Sequence, residues 1–196
     1  SSAASDVYKR QTEGSALFAS DEDLAVYAAE QNYITADHIL LATKNMTTGE
    51  ALTDEQKAEK KALAEELVEK LNSYTGDDIA SYFAELADEY SEDPGRESHP
   101  TGYTFTTGSM VQEFEDAAYA LSEGEVSEVV ESSFGYHILL RLPLDKSAAA
   151  DEVREEYFTN FIAEQVDAAA MATSADYDKL DPQTIYEAIV AAQAEG

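Results

Sequence analysis

The 196-residue chain contains no cysteine. Disulfides, thiolate catalysis and cysteine-ligated zinc are therefore excluded. The absence is compatible with an oxidising exterior, where a free thiol is a liability. Cations are scarce: 12 Lys and Arg stand against 41 Asp and Glu, a formal net charge of −29. Nucleic-acid binding needs clustered cations to neutralise phosphates, so that function class is excluded. Docking on anionic lipid is disfavoured for the same reason. No apolar run reaches the length of a transmembrane helix. Phosphate-cradling glycine loops of the GxxxxGK[ST] or GxGxxG kind are missing, as are H-E-x-x-H, G-x-S-x-G and EF-hand patterns. No residue set supports a metal or nucleotide cofactor. What remains is a chain with 44% hydrophobic and 10% aromatic residues, enough to bury a core.

The pattern alternates helices with a few strands. Residues 21–32 read as a short helix capped by Asp21 or Asp23, with Leu24, Tyr27 and Ala28 on one side. An apolar strand follows at 34–42, interrupted by Asp37 and His38. Thr53 opens a helix to about 73, with a stripe of Leu63, Leu67 and Leu71. A second helix covers 78–90, turning Ile79, Phe83, Leu86 and Tyr90 inward. Pro94, Gly95 and Pro100 make residues 91–100 a loop. A short extended piece at 102–105 precedes a third helix at 110–121. Its acidic run of Glu113, Glu115 and Asp116 reads as a solvated face. Two strands follow, 125–131 and 136–142, the second placing Tyr136, Ile138 and Leu140 on one face and His137, Leu139 and Arg141 on the other. An amphipathic helix spans 150–170 with Val153, Tyr157, Phe158, Phe161, Ile162 and Val166 in phase. Asp181-Pro182 opens a last helix, 182–194. Without βαβαβ alternation, a doubly wound sheet is not expected; the order predicts an α+β domain with helical material on both sides.

His38 and His137 each sit inside an apolar strand, 99 positions apart. Either reading is open for such residues: a satisfied core histidine, or a functional pair assembled by the fold. Met110 and Phe114 read by themselves as core residues, and His99 as a solvated turn residue.

The segments ADHILLAT (36–43), FAELADEYSEDPG (83–95) and FTTGSMVQEFEDAAYALSEGEVSEVVESSFGYHILLRL (105–142) resemble the parvulin-type peptidyl-prolyl cis/trans isomerase domain. Several separated blocks occur in the family's order, over roughly residues 35–142. The resemblance implies a parvulin-like, FKBP-like α+β fold: a small antiparallel sheet with surrounding helices. It implies that His38 and His137 are the family's paired histidines and that Asp93 is the polar catalytic position. Met110 and Phe114 match the proline-binding pocket, Tyr103 its third wall, and Ser132 and Phe134 the pocket edge. Gly102-Tyr103 departs from the more usual Asp-Leu-Gly. His99 has no matching role. Whether the histidines act directly or orient the carboxylate stays open.

Phosphate-directed members of that family carry a basic cluster at the rim. Here the loop after His38 offers only Lys44, and residues 77–142 contain only Arg96 and Arg141, so no phosphoserine-proline preference is expected. The implied partners are unfolded or partly folded proteins containing X-Pro, without nucleic acid, metal or any cofactor. The alternative is a non-catalytic holdase using the same fold. Flanking helices resemble foldases of the PrsA and SurA kind, which implies an extracytoplasmic setting, cell surface or periplasm. The expected organisation is a non-native tail at 1–11, whose DVYKRQ resembles an adapter scar; a helical remnant of an N-terminal chaperone lobe at 12–33; the isomerase domain at 34–143; and a C-terminal helical segment of the lobe at 147–196. That segment then packs within one chain or in a dimer.

Overall fold

The computed structural model describes residues 19–172. The expected tail at 1–11, the helix at 182–194 and the Val166 side chain lie outside what is described. Among the described residues the elements run α1 (Asp21–Glu30), β1 (Ile34–Ala42), α2 (Asp54–Asn72), α3 (Ile79–Tyr90), β2 (Tyr103–Phe105), α4 (Gln112–Ala120), β3 (Val130–Glu131), β4 (Gly135–Leu142) and α5 (Lys146–Ala172). Two compact units divide the chain, the larger spanning residues 28–149.

In the larger unit one antiparallel sheet has the order β2-β1-β4-β3. The central pair is β1 with β4, in a register that sets His38 opposite Leu139 and Leu40 opposite His137. Side chains alternate across a sheet, so the register separates two cores. Ile39, Leu41, Tyr136, Ile138 and Leu140 pack with Leu67, Leu71 and Phe83 of α2 and α3. Ile34, Ala36, Phe105 and Leu139 pack with Phe114 and Ala118 of α4 on the other face. Both strands are buried along nearly their whole length, as a two-sided sheet requires. Gly135 starts β4 at φ +151°, and a Cβ there would collide with the Leu41 carbonyl oxygen. Only glycine lets the two central strands approach at that corner.

Capping follows local chemistry. Thr53 closes a full capping box on α2 with Gln56, as the sequence predicts. Asp78 caps α3 through the Ser81 N–H. At α1 the expectation is corrected: Ser20, not Asp21 or Asp23, is the cap. The Asp23 N–H donates to Ser20 Oγ, and the Asp23 carboxylate accepts from Ser20 N at 3.0 Å. The expected strand at 125–131 also shortens to Val130–Glu131, with a lone bridge at Val126. Ser127 is the cause. Its Oγ accepts the Leu139 N–H at 2.9 Å, replacing a ladder bond from the main chain.

The edge of β1 beyond its pairing with β2 is closed by side chains. The N–H groups of His38, Leu40 and Ala42 donate to Asp37 Oδ1, Ser91 Oγ and Glu92 Oε2. The Glu92 N–H in turn donates to the Leu40 carbonyl. The start of the 91–100 loop thus runs along this strand edge.

In the smaller unit, residues of α1 and α5 meet. Tyr27 and Tyr157 stack edge to face at 5.1 Å. Asn160 Nδ2 donates to the Tyr27 hydroxyl, and Arg154 Nη2 to Asp21 Oδ1. Val153 is fully buried, while Tyr157, Phe158, Phe161 and Ile162 are half-buried.

Candidate active site

The β1–β4 register makes His38 and His137 diagonal neighbours on the α4 face, within side-chain reach. Their Nδ1 atoms lie 3.3 Å apart and their rings stack at 5.5 Å. His38 Nε2 is 2.9 Å from Asp93 Oδ2. On the far side, His137 Nε2 is 2.7 Å from Ser132 Oγ, which also accepts the Phe134 N–H. Five of the residues expected from the sequence therefore form one continuous chain: Asp93, His38, His137, Ser132 and, through its main chain, Phe134.

Apolar groups flank the chain. Phe114 stands edge-on to both imidazoles, at 5.1 Å from His38 and 5.7 Å from His137. Met110, half-buried, packs on the same cluster. Tyr103 is edge-on to His38 at 5.5 Å. It is more than an apolar wall, because its hydroxyl donates to Asp93 Oδ2 at 2.6 Å. Phe134 stands at the rim with the Lys44 ammonium 4.1 Å above its ring. His99 stacks on Tyr103 at 4.3 Å.

Asp93 is saturated with donors: His38 and Tyr103 on Oδ2, the Gly95 N–H on Oδ1. Burial alone raises its carboxyl, but these hydrogen bonds outweigh burial and hold it far below the usual carboxylate range. Burial first, and then the same carboxylate, push the Tyr103 phenol well up. His137 is held down at about 4, by burial and then by the His38 charge, against a smaller opposing pull from Asp93. Neutral His137 has a single N–H, so it donates to one neighbour and accepts from the other. When Nδ1 donates to His38, the Ser132 hydroxyl donates to Nε2.

The lowered His137 sets an acid limit on stability. Unfolded, its imidazole takes a proton near 6.5; folded, it resists until about 4. The unfolded chain binds more protons across that window, so stability falls as pH drops from 6.5 to 4. Denaturant titrations at pH 7, 6, 5 and 4 are expected to show this slope, and His137→Phe to flatten it. An unchanged slope in the variant would contradict the assignment.

One residue overturns its sequence reading. Glu115 is not on a solvated face; it is 3% exposed. Its carboxylate accepts the N–H groups of Met110 at 2.8 Å and Gly108 at 2.8 and 3.1 Å. The Met110 N–H foremost, with Gly108 and Ser109, lowers its pKa against the cost of burial. A buried anion thereby folds the 108–110 loop around itself and fixes Met110 beside Phe114. Neighbouring Glu113 and Asp116 are exposed, as expected.

Comparison with known proteins converges on one group. The foldase protein PrsA 4 of Bacillus cereus is 56% identical over 77 residues, 39% of this chain and 25% of that protein. The foldase protein PrsA of Geobacillus kaustophilus is 40% identical over 96 residues, 48% of this chain and 34% of that protein. The matched part thus spans a quarter to a third of these relatives' length. Among solved structures, PrsA from Bacillus subtilis matches with a TM-score of 0.44 and 28% identity, covering 83% of this chain and 56% of its own. NmPin, the parvulin of Nitrosopumilus maritimus, matches at TM-score 0.39 and 37% identity, covering 57% and 96%. The family model for the rotamase PPIC-type PPIase domain matches residues 38–142, more than half of the chain. The chain belongs to the PPIC-type peptidyl-prolyl isomerase family.

Proposed function

We propose that the domain catalyses cis/trans isomerisation of X-Pro bonds in unfolded or partly folded proteins, with His38, Asp93 and His137 as its polar side and Tyr103, Met110, Phe114, Ser132 and Phe134 lining the substrate. The observation that carries this reading is the hydrogen-bonded chain from Asp93 to Ser132 laid against the Phe114–Met110 wall.

Amide resonance sets a rotation barrier of about 18–20 kcal/mol and places negative charge on the carbonyl oxygen. Unaided, X-Pro bonds turn over in tens to hundreds of seconds. No bond has to be broken. A catalyst has only to hold the pyrrolidine ring and favour the twisted amide over the planar one. Phe114 offers a rigid face for the ring, and Met110 an adaptable one. Asp93, its oxygens occupied by three donors, acts as a fixed charge rather than a nucleophile. A negative charge beside the carbonyl disfavours the resonance form that keeps the amide planar. The histidines, joined through Nδ1, hold that charge in register and link it to Ser132.

The rim supports substrates without phosphate. Arg96 is engaged by Asp37 and Asp88, Arg141 donates to the Ala118 carbonyl, and Lys44 rests on Phe134. A protease-coupled assay on a Ser-Pro peptide and its phosphorylated twin is expected to give faster or equal turnover of the unmodified peptide. Much faster isomerisation of the phosphopeptide would refute this.

The α1–α5 contacts support a helical lobe in addition to the isomerase unit, working on clients as the PrsA relatives' name of foldase implies. An extracytoplasmic setting is part of the same reading. Among the described residues no helix is long and apolar enough to cross a membrane.

A further inference from the structure

The 91–100 loop carries Asp93 and is tied to β1 twice. On the α4 face Asp93 meets His38 at 2.9 Å. On the α3 face, one residue earlier in β1 and three later in the loop, Arg96 Nη1 meets Asp37 Oδ1 at 2.8 Å. The Asp37 and Arg96 side chains are only 5% and 11% exposed. Arg96 spends its other donors on α3: Nε on Asp88 Oδ1 at 2.9 Å and Nη2 on the Ala84 carbonyl at 3.3 Å. A planar guanidinium with a fork of donors can serve three acceptors in fixed geometry, which an ammonium cannot. The loop thus straddles the strand edge, gripping one face with a carboxylate and the other with a guanidinium.

We propose that Arg96 is a positioning residue for the isomerase site: by clamping Asp37, Asp88 and Ala84 it fixes the loop so that Asp93 stays against His38. The inference rests on the functional reading above, in which Asp93 is the charge beside the substrate amide. Arg96 does not line the apolar wall, so its loss bears on turnover and not on binding of the proline ring.

A double-mutant cycle on the full chain tests this, reading kcat and KM with an unphosphorylated X-Pro peptide. Arg96→Met is expected to lower kcat on the order of 10-fold with KM within about twofold, as small misplacements of a catalytic group do. In an Asp93→Ala background the same substitution is expected to change kcat by less than about twofold, because nothing remains to be positioned. Arg96→Lys, which keeps a charge beside Asp37 without spanning its partners, is expected to show the same pattern in weaker form, and it carries the cycle where Arg96→Met does not fold. An Arg96 effect of equal size in both backgrounds, or one confined to KM, overturns the inference alone. Undiminished turnover in Asp93→Ala itself overturns the functional reading and the inference together.

Discussion

Replacing Asp93 with alanine is expected to lower kcat/KM toward an X-Pro peptide on the order of 100-fold, the scale seen when a preorganised electrostatic group is removed from an active site. The loss is expected mainly in kcat, since on the proposed reading Phe114 and Met110 would still receive the ring. The substitution also leaves the His38 Nε2 and the Tyr103 hydroxyl without their shared acceptor. Tyr103 then loses the carboxylate that helps to push its phenol upward, so a spectrophotometric titration of the variant is expected to ionise one tyrosine at lower pH. Asp93→Asn keeps an acceptor for the donors but not the charge. It separates the two roles: a variant as slow as alanine assigns the effect to charge, and one near the parent activity assigns it to hydrogen bonding. Unchanged turnover in both would remove Asp93 from the site.

Phe83→Ala has the largest expected effect on stability, about 3–5 kcal/mol. The ring is fully buried where α3 meets α2 and the sheet. No polar group there can fill the cavity, so both the transfer and the cavity contributions are lost. Small domains have only about 5–15 kcal/mol in total. With urea slopes of about 1–3 kcal/mol/M, the midpoint drops by more than about 1 M. A loss below about 1 kcal/mol, measured by urea unfolding, would mean that this face of the sheet is loosely packed. Phe83 lies on the opposite face from the histidines, so kcat is expected to survive wherever the variant remains folded.

Much of this arrangement is legible in the residues. The alternation of β4 assigns Ile138 to one core and His137 to the other face, and Thr53 with Gln56 announces the start of α2. The paired strands and their histidines are recoverable because period-two burial leaves little choice of register. Other features depend on long-range partners that carry no local signal. Glu115 sits in an acidic run and gives no sign that the Gly108 and Met110 N–H groups will close on it. The Tyr103 hydroxyl reaches Asp93 only after the 91–100 loop has folded back along β1. Ser127 looks like any strand residue until its hydroxyl takes the Leu139 N–H. Arg96 reads as a stray cation because its partner Asp37 is 59 positions away. In each case a side chain replaces or anchors main-chain structure, and composition and periodicity are blind to that.

The closed edge of β1 bears on how a client is held. An exposed strand edge is a template on which extended chains add as an extra strand. A protein that receives unfolded polypeptides would be captured by its own clients through such an edge. Asp37, Ser91 and Glu92 take up the N–H groups that would form that ladder. On the proposed reading, a chain arriving at Asp93 would therefore find no main-chain register to lock into along β1 and would be retained through side-chain contacts alone.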